Sequence, residues 1–267
     1  VRVRKVLTVA GASVLAVVLA AVGADTGAAV YAEYRLSRNL RTVTGLPFDP
    51  WVAILGFPFV PQAARRNYGE LEIKAGGVDN AVVGKVTLEA TMHDIDLQQA
   101  SWLIRPTADL PVGKLESRII IDSRHLGGYI GIKDLRVEAP AEDTNDSTGG
   151  TTESGISGSR GLVFTGTPAK AGFNKLVSVI VDLSIAGPGQ TTLVLTPTGV
   201  VTGPNTADQP VPEDKRAAVL GAFAGTLPGQ KLPFGLRPTA EGARGSDIII
   251  EGIAEEVTVR LGGFIQT

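Results

Sequence analysis

The sequence predicts an α+β fold in which an N-terminal apolar helix precedes a long antiparallel sheet. Three observations carry that expectation. Apolar residues make up 43% of the chain but aromatics only 5%, and the balance is Val, Ile, Leu and Thr, which fit a pleated, half-buried surface. The 33 glycines and 16 prolines break the chain into many short elements. Several separate segments alternate apolar and polar residues, the pattern of strands with one buried face.

At the N-terminus, Arg2, Arg4 and Lys5 precede Val6 to Ala24, which carries no charge and only Thr8 and Ser13 as hydroxyls. A positive segment followed by an apolar run reads residues 1–24 as a signal peptide or an uncleaved membrane anchor. Both readings place Asp25 onward outside the cytoplasm, with residues 25–267 as one α+β domain. From Val30 to Val43, Arg35, Arg38 and Arg41 recur at i, i+3, i+6, and Leu36, Leu40 and Val43 at i, i+4, i+7. This predicts an amphipathic helix whose basic face either lies along anionic headgroups beside the anchor or is simply solvated.

The densest aromatic cluster follows, with Phe48, Trp51, Phe57 and Phe59 inside a proline-bracketed stretch that runs into Arg65 and Arg66. Trp51, Ile54, Leu55 and Phe59 fit the i, i+3, i+4, i+8 spacing of a helix face, with Pro50 in the first turn and Pro58 forcing a kink or a stop. Such a face either fills a core or meets an interface between hydrocarbon and phosphate. There the rings bury and the guanidinium groups bind the anion bidentately.

Glu70 to Ala75 alternates as a half-buried strand, and so does Lys85 to Leu97 until the inward set shifts from Val86, Leu88, Ala90 and Met92 to Ile95 and Leu97. A one-residue slip flips every later side chain, so a bulge is expected near His93 and Asp94. Asp96 to Ile104 reads as a short helix stopped by Pro106, and Lys114–Asp122 and Leu135–Glu138 as strands. The polar tract Pro140 to Ser159 is either a mobile loop in one domain or a linker between residues 25–139 and 160–267. Beyond it come a strand at Leu162–Phe164 and a hairpin of Lys175–Ile185 with Thr191–Thr196 around Gly187-Pro188-Gly189. A helix opens at Pro212, Glu213 and Asp214 and ends at Gly225, and a last strand pattern spans Ser246 to Arg260.

Several chemistries are missing. The net charge is −2 and, outside an acidic tract holding Glu138, Glu142, Asp143, Asp146 and Glu153, the bases and acids nearly balance, so no basic stripe for nucleic acid is present. Without cysteine there is no disulfide framework or thiolate site, and His93 and His125 lack ligand spacing. Asp122, Ser123 and His125 invite a triad reading, but no nucleophile elbow surrounds them, and as sequence neighbours their side chains are expected to point apart. Gly187-Pro188-Gly189 lacks the lysine and following helix of a phosphate loop. No catalytic, metal or cofactor-binding residue is nominated, and the expectation is a non-enzyme.

Gly56-Phe57-Pro58-Phe59, followed by Arg65, Arg66, Tyr68 and an alternating strand, resembles the LmeA family of actinobacterial cell-envelope phospholipid-binding proteins. The N-terminal apolar segment and Leu232-Pro233-Phe234-Gly235-Leu236 ahead of a strand agree with it, and the likeness covers roughly residues 28–267. More distantly it is similar to tubular lipid-binding proteins. That resemblance implies a long curved antiparallel sheet wrapping one or two helices around an apolar channel. It also implies phospholipid binding, including phosphatidylinositol-type lipids, and support for lipomannan-type glycolipid assembly in the cell envelope or periplasmic space. The lipid-binding candidates are Trp51, Ile54, Leu55, Phe57, Phe59, Arg65 and Arg66, with Arg35, Arg38 and Arg41 as the membrane-anchor flank. Expected partners are phospholipid, a membrane surface and envelope glycosyltransferases, but not nucleic acid. The alternative is a non-catalytic envelope scaffold that contacts glycosyltransferases or glycans near Tyr129.

Overall fold

The computed structural model of the chain describes residues 2–97, 103–105, 107–139 and 155–266, with side chains from residue 10 onward. The centre of the predicted helix before Pro106, and the polar tract up to residue 154, lie outside the described residues. The elements in order are α1 (Arg2–Thr44), β1 (Trp51–Leu55), α2 (Phe59–Arg65), β2 (Asn67–Asn80), β3 (Gly84–Asp96), β4 (Leu110–Asp122) and α3 (Ser123–Ile130). After them come β5 (Arg136–Glu138), β6 (Leu162–Gly166), β7 (Val177–Ala186), β8 (Thr192–Val201), α4 (Glu213–Phe223), β9 (Gly225–Leu227), β10 (Ala240–Arg244) and β11 (Asp247–Val259). The strands form two open antiparallel sheets, ordered β1-β2-β3-β4-β11-β10 and β5-β6-β7-β8-β9, so the fold is α+β as the sequence predicts.

Two compact units divide the chain. One comprises Val1–Ile73, Thr91–Leu115 and Glu255–Gly263, the other Lys74–Ala90, Glu116–Ala254 and Phe264–Thr267, and β2, β3, β4 and β11 give residues to both. In the first unit α1 packs on β1 and α2 through Ala32, Leu36 and Leu40, all buried. Here the structure departs from the sequence reading twice. The apolar run and the amphipathic helix are one uninterrupted helix, because Asp25 to Ala29 holds no proline and Gly27 costs only about 1 kcal/mol. The stretch expected as a helix over Trp51–Phe59 is strand β1, a turn at Gly56–Pro58, and only then the short α2. Five residues bracketed by Pro50 and Gly56 are too few for a helix, and Val52, Ala53 and Ile54 are all buried, as in a fully covered strand.

The expected slip in β3 is present. Met92 and Ile95 are both fully buried, and between them Asp94 takes φ 52°, the extra residue that moves the alternation to the other parity.

In the second unit β7 buries Val177, Val179, Val181 and Leu183 and pairs antiparallel with β8. Each such side chain contributes about 1.5–3 kcal/mol on burial. α4 lays Val219 and Phe223 against β8 and β7. The end of the polar tract is docked here: Ile156 is fully buried with Ile120 and Ile249, the Ser157 N–H donates to the Ala243 carbonyl (2.9 Å), and the Ala243 N–H donates to Ser157 Oγ (2.9 Å). The approach is close enough that a side chain on Gly242 would collide with the Ser157 carbonyl, so glycine is required there.

Candidate functional site

Among the described residues, every large apolar side chain exposed to solvent lies between Val14 and Val60, apart from Tyr129 and Leu176. The concentration begins in α1. Residues 10–24 are all exposed, and Val14, Leu15, Val17, Val18 and Leu19 spread over about 200° of the helix, with alanine, glycine and Ser13 on the remaining side. A helix of this kind belongs in a protein core or in hydrocarbon, and none of the described residues covers this one. By length and composition α1 can cross a membrane.

The second part of the strip is the turn between β1 and α2. Phe57 is 71% exposed, Trp51 53%, and Val60 and Leu55 are exposed as well. The turn is nevertheless held firmly. The Asp25 carboxylate, from α1, accepts the N–H of Phe59 (2.8 Å) on one oxygen and that of Val60 (2.7 Å) on the other, satisfying two donors that the start of α2 leaves free. Gln62 Nε2 donates to the Gly56 carbonyl (2.7 Å), while its Oε1 accepts the Gly69 N–H (3.1 Å). Gly56 sits at φ 100° with the Gln62 amide directly over it, a position closed to other residues.

The seven lipid-binding candidates therefore divide. Trp51, Leu55 and Phe57 are outside; Ile54 and Phe59 are 7% and 2% exposed and belong to the core. Phe59 rests on Tyr68 with ring centroids 6.0 Å apart, and burial pushes the Tyr68 hydroxyl up to about 12. Arg65 ends α2 and Arg66 caps it with φ 58°, both exposed. α2 separates them from Phe59 by about 9 Å of helix, so arginines and aromatic tip lie at opposite ends of α2 rather than side by side. Arg35 and Arg38 stack over Tyr31 and Tyr34, with guanidinium carbons 6.0 and 5.7 Å from the ring centres, and Arg41 reaches Asp49 at 3.4 Å. Asp25, Val60 and Gln62 escaped the sequence reading, although Asp25 is the first charge after the apolar run.

A polar cavity of about 260 Å³ lies in the second unit, lined among others by Lys85, Thr87, Asp122, His125 and Asp247. Contrary to the sequence expectation, Asp122 and His125 do meet, with His125 Nδ1 3.1 Å from Asp122 Oδ2. Asp122 is the N-cap of α3 and accepts the N–H groups of Arg124 (2.8 Å) and His125 (3.0 Å), and the i, i+3 relation brings the two side chains together. Burial pushes the Asp247 carboxyl up, and the neighbouring Asp122 charge adds to the shift. Burial also acts to raise Asp122, but the donated N–H groups and nearby positive charge outweigh it and leave its carboxyl low. No group of three or more metal-ligating side chains gathers among the described residues. A larger cavity of about 880 Å³, bordered by Arg136, Val137, Val163, Val201 and Pro204, opens at the ends of β5, β6 and β8.

A family model described as LmeA-like phospholipid-binding matches residues 23–253. No curated protein and no solved structure matches the chain.

Proposed function

We propose, from the premise that the chain belongs to the LmeA-like phospholipid-binding family, that it binds phospholipid outside the cytoplasm, secreted or anchored by α1, and supports envelope glycolipid assembly as a lipid holder or lipid-transfer protein. The observation that carries this reading is the concentration of exposed large apolar side chains in residues 14–60, with only Tyr129 and Leu176 elsewhere among the described residues. Phe57, on the braced turn, and Trp51, at the start of β1, stand in water at a cost the fold gains nothing from, and lipid removes that cost at about 0.8 kcal/mol per methylene covered. Trp51, Leu55 and Phe57 then meet acyl chains, Ile54 and Phe59 support them from behind, and Arg65 and Arg66 take the phosphate. The scaffold alternative draws no support from Tyr129, whose hydroxyl is engaged with the Thr226 carbonyl at 2.7 Å.

Photoactivatable phospholipid, crosslinked to the full chain and mapped by mass spectrometry, tests the site. Adducts at Trp51 to Val60 are expected. Adducts at Val137, Val163 or Val201 would move the site to the 880 Å³ cavity, whose size also suits a ligand. A chain purified without detergent that carries no phospholipid, and takes up none, would remove the reading.

A further inference from the structure

The geometry points to a second role for the braced turn: Phe57 and Val60 form a wedge that enters the face of a phospholipid bilayer, and Asp25 sets its depth. This rests on the phospholipid-binding reading and adds to it a partner, the intact bilayer surface, and a fixed docking level. The uncharged run from Val6 to Ala24 is about 28 Å long as a helix, close to the roughly 30 Å of bilayer hydrocarbon. When that run occupies the bilayer, Asp25, the first charged residue after it, lies at the hydrocarbon edge. Phe59 and Val60 hang from the Asp25 carboxylate by their own N–H groups, and Phe57 is two residues further, at most about 7 Å of chain. The wedge is thus held within about 10 Å of the level where α1 leaves hydrocarbon, in the interfacial layer where a ring and a small aliphatic side chain insert.

Three features favour a bilayer over another occupant. The wedge is tied to Asp25, the residue at which the exposed apolar run of α1 ends. Trp51, also exposed, is of the residue type that settles at membrane interfaces. The turn is anchored by Asp25 and by Gln62, so ordering it on arrival costs little. Asp25 is a positioning residue here. It touches no lipid and acts by fixing where α2 begins.

The test places a single indole at the wedge. In full-length protein with Trp51→Phe and Trp102→Phe, Phe57→Trp is reconstituted into phosphatidylglycerol–phosphatidylcholine vesicles carrying bromine on the acyl chains. The expected result is a blue shift and loss of emission by bromine, with no loss for Val43→Trp, about 28 Å along α1 from Ala24, in the same background. Asp25→Ala or Gln62→Ala should lessen the quenching at position 57 while the protein still floats with vesicles through α1, and a retained cooperative melt shows that the variant is folded. Floating protein whose position 57 stays unquenched would overturn the wedge and leave phospholipid binding standing. Blue-shifted, unquenched, concentration-dependent emission would give the surface to a second copy and overturn it as well. Failure to float or to retain any phospholipid would bring down the underlying reading with it.

Discussion

The two halves of α1 share one helical backbone and differ in what their apolar residues meet. Downstream of Asp25, Ala32, Leu36 and Leu40 form a stripe buried against β1 and α2, while Val30, Tyr31, Tyr34 and Val43 stay exposed on the other sides. Polar side chains flanking that stripe are tied down: Asp25 to the Phe59 and Val60 N–H groups, Glu33 to the Ile54 N–H at 2.9 Å, and Ser37 to the Pro50 carbonyl at 2.5 Å. Upstream, over residues 10–24, there is no buried stripe, because the run is uncharged and every residue in it is exposed. The family match begins at residue 23, next to this boundary. One helix thus carries two solubilities. The downstream half is stabilised by protein it already touches, and the upstream half requires a medium that the folded units do not supply.

Substitutions in the two halves should therefore report on different measurements. Leu40→Ala removes a fully buried side chain from the stripe and should cost about 2–5 kcal/mol in chemical denaturation, with little effect on vesicle association. Leu15→Arg should do the reverse. The residue is 59% exposed, so the unfolding midpoint stays within about ±0.5 kcal/mol. An arginine near the middle of the apolar run adds roughly 2.5–3.5 kcal/mol to insertion and should shift the protein from membrane to soluble fractions. A Leu15→Arg protein that unfolded early would show that the upstream half has a protein partner, and the contrast would collapse. Asp25→Ala sits on the boundary and should lower stability by about 2 kcal/mol, since two helix-start N–H groups lose their acceptor in a buried place.

Much of this architecture could be read from residue order alone. Alternation located β2, β3, β7 and β8, and the shift of parity near Asp94 marked a bulge, because a strand's period of two leaves no other way to keep Met92 and Ile95 both inside. The errors lie where local pattern is ambiguous. Trp-Val-Ala-Ile-Leu fits either a helix face or a fully covered strand, and only its length decides, with prolines and glycine on both sides. The Asp122–His125 contact is not legible because neighbouring residues at a strand end read as extended, whereas a helix begins at Ser123. The site was half legible. Aromatic crowding exposed the region, but nothing in the order of residues separates Phe57, in solvent, from Phe59, under Tyr68, and nothing pairs Asp25 with an amide more than thirty positions away. That pairing is tertiary and has no local signature.

The smallest expected effect is also the sharpest test of the contrast. Arg35, Arg38 and Arg41 form an exposed basic face that sequence reasoning would lay along anionic headgroups. α1 is continuous, however, and carries them away from the apolar run: Ala24 to Arg35 is about 16 Å of helix and Ala24 to Arg41 about 25 Å. Charges at those distances lie beyond the roughly 8 Å screening length of physiological salt. Arg35 and Arg38 are moreover occupied with Tyr31 and Tyr34, and Arg41 with Asp49. With the upstream half crossing the bilayer, replacing all three by glutamine should change affinity for phosphatidylglycerol vesicles by less than about 0.5 kcal/mol at 0.15 M salt. Replacing Arg65 and Arg66, one short helix away from the wedge, should cost more. If instead the triple variant lost about 1 kcal/mol per arginine, as for basic residues held at an anionic surface, α1 would have to lie along the membrane over its whole length. The downstream half would then face lipid as well, and the division at Asp25 would no longer separate a membrane segment from a docked one.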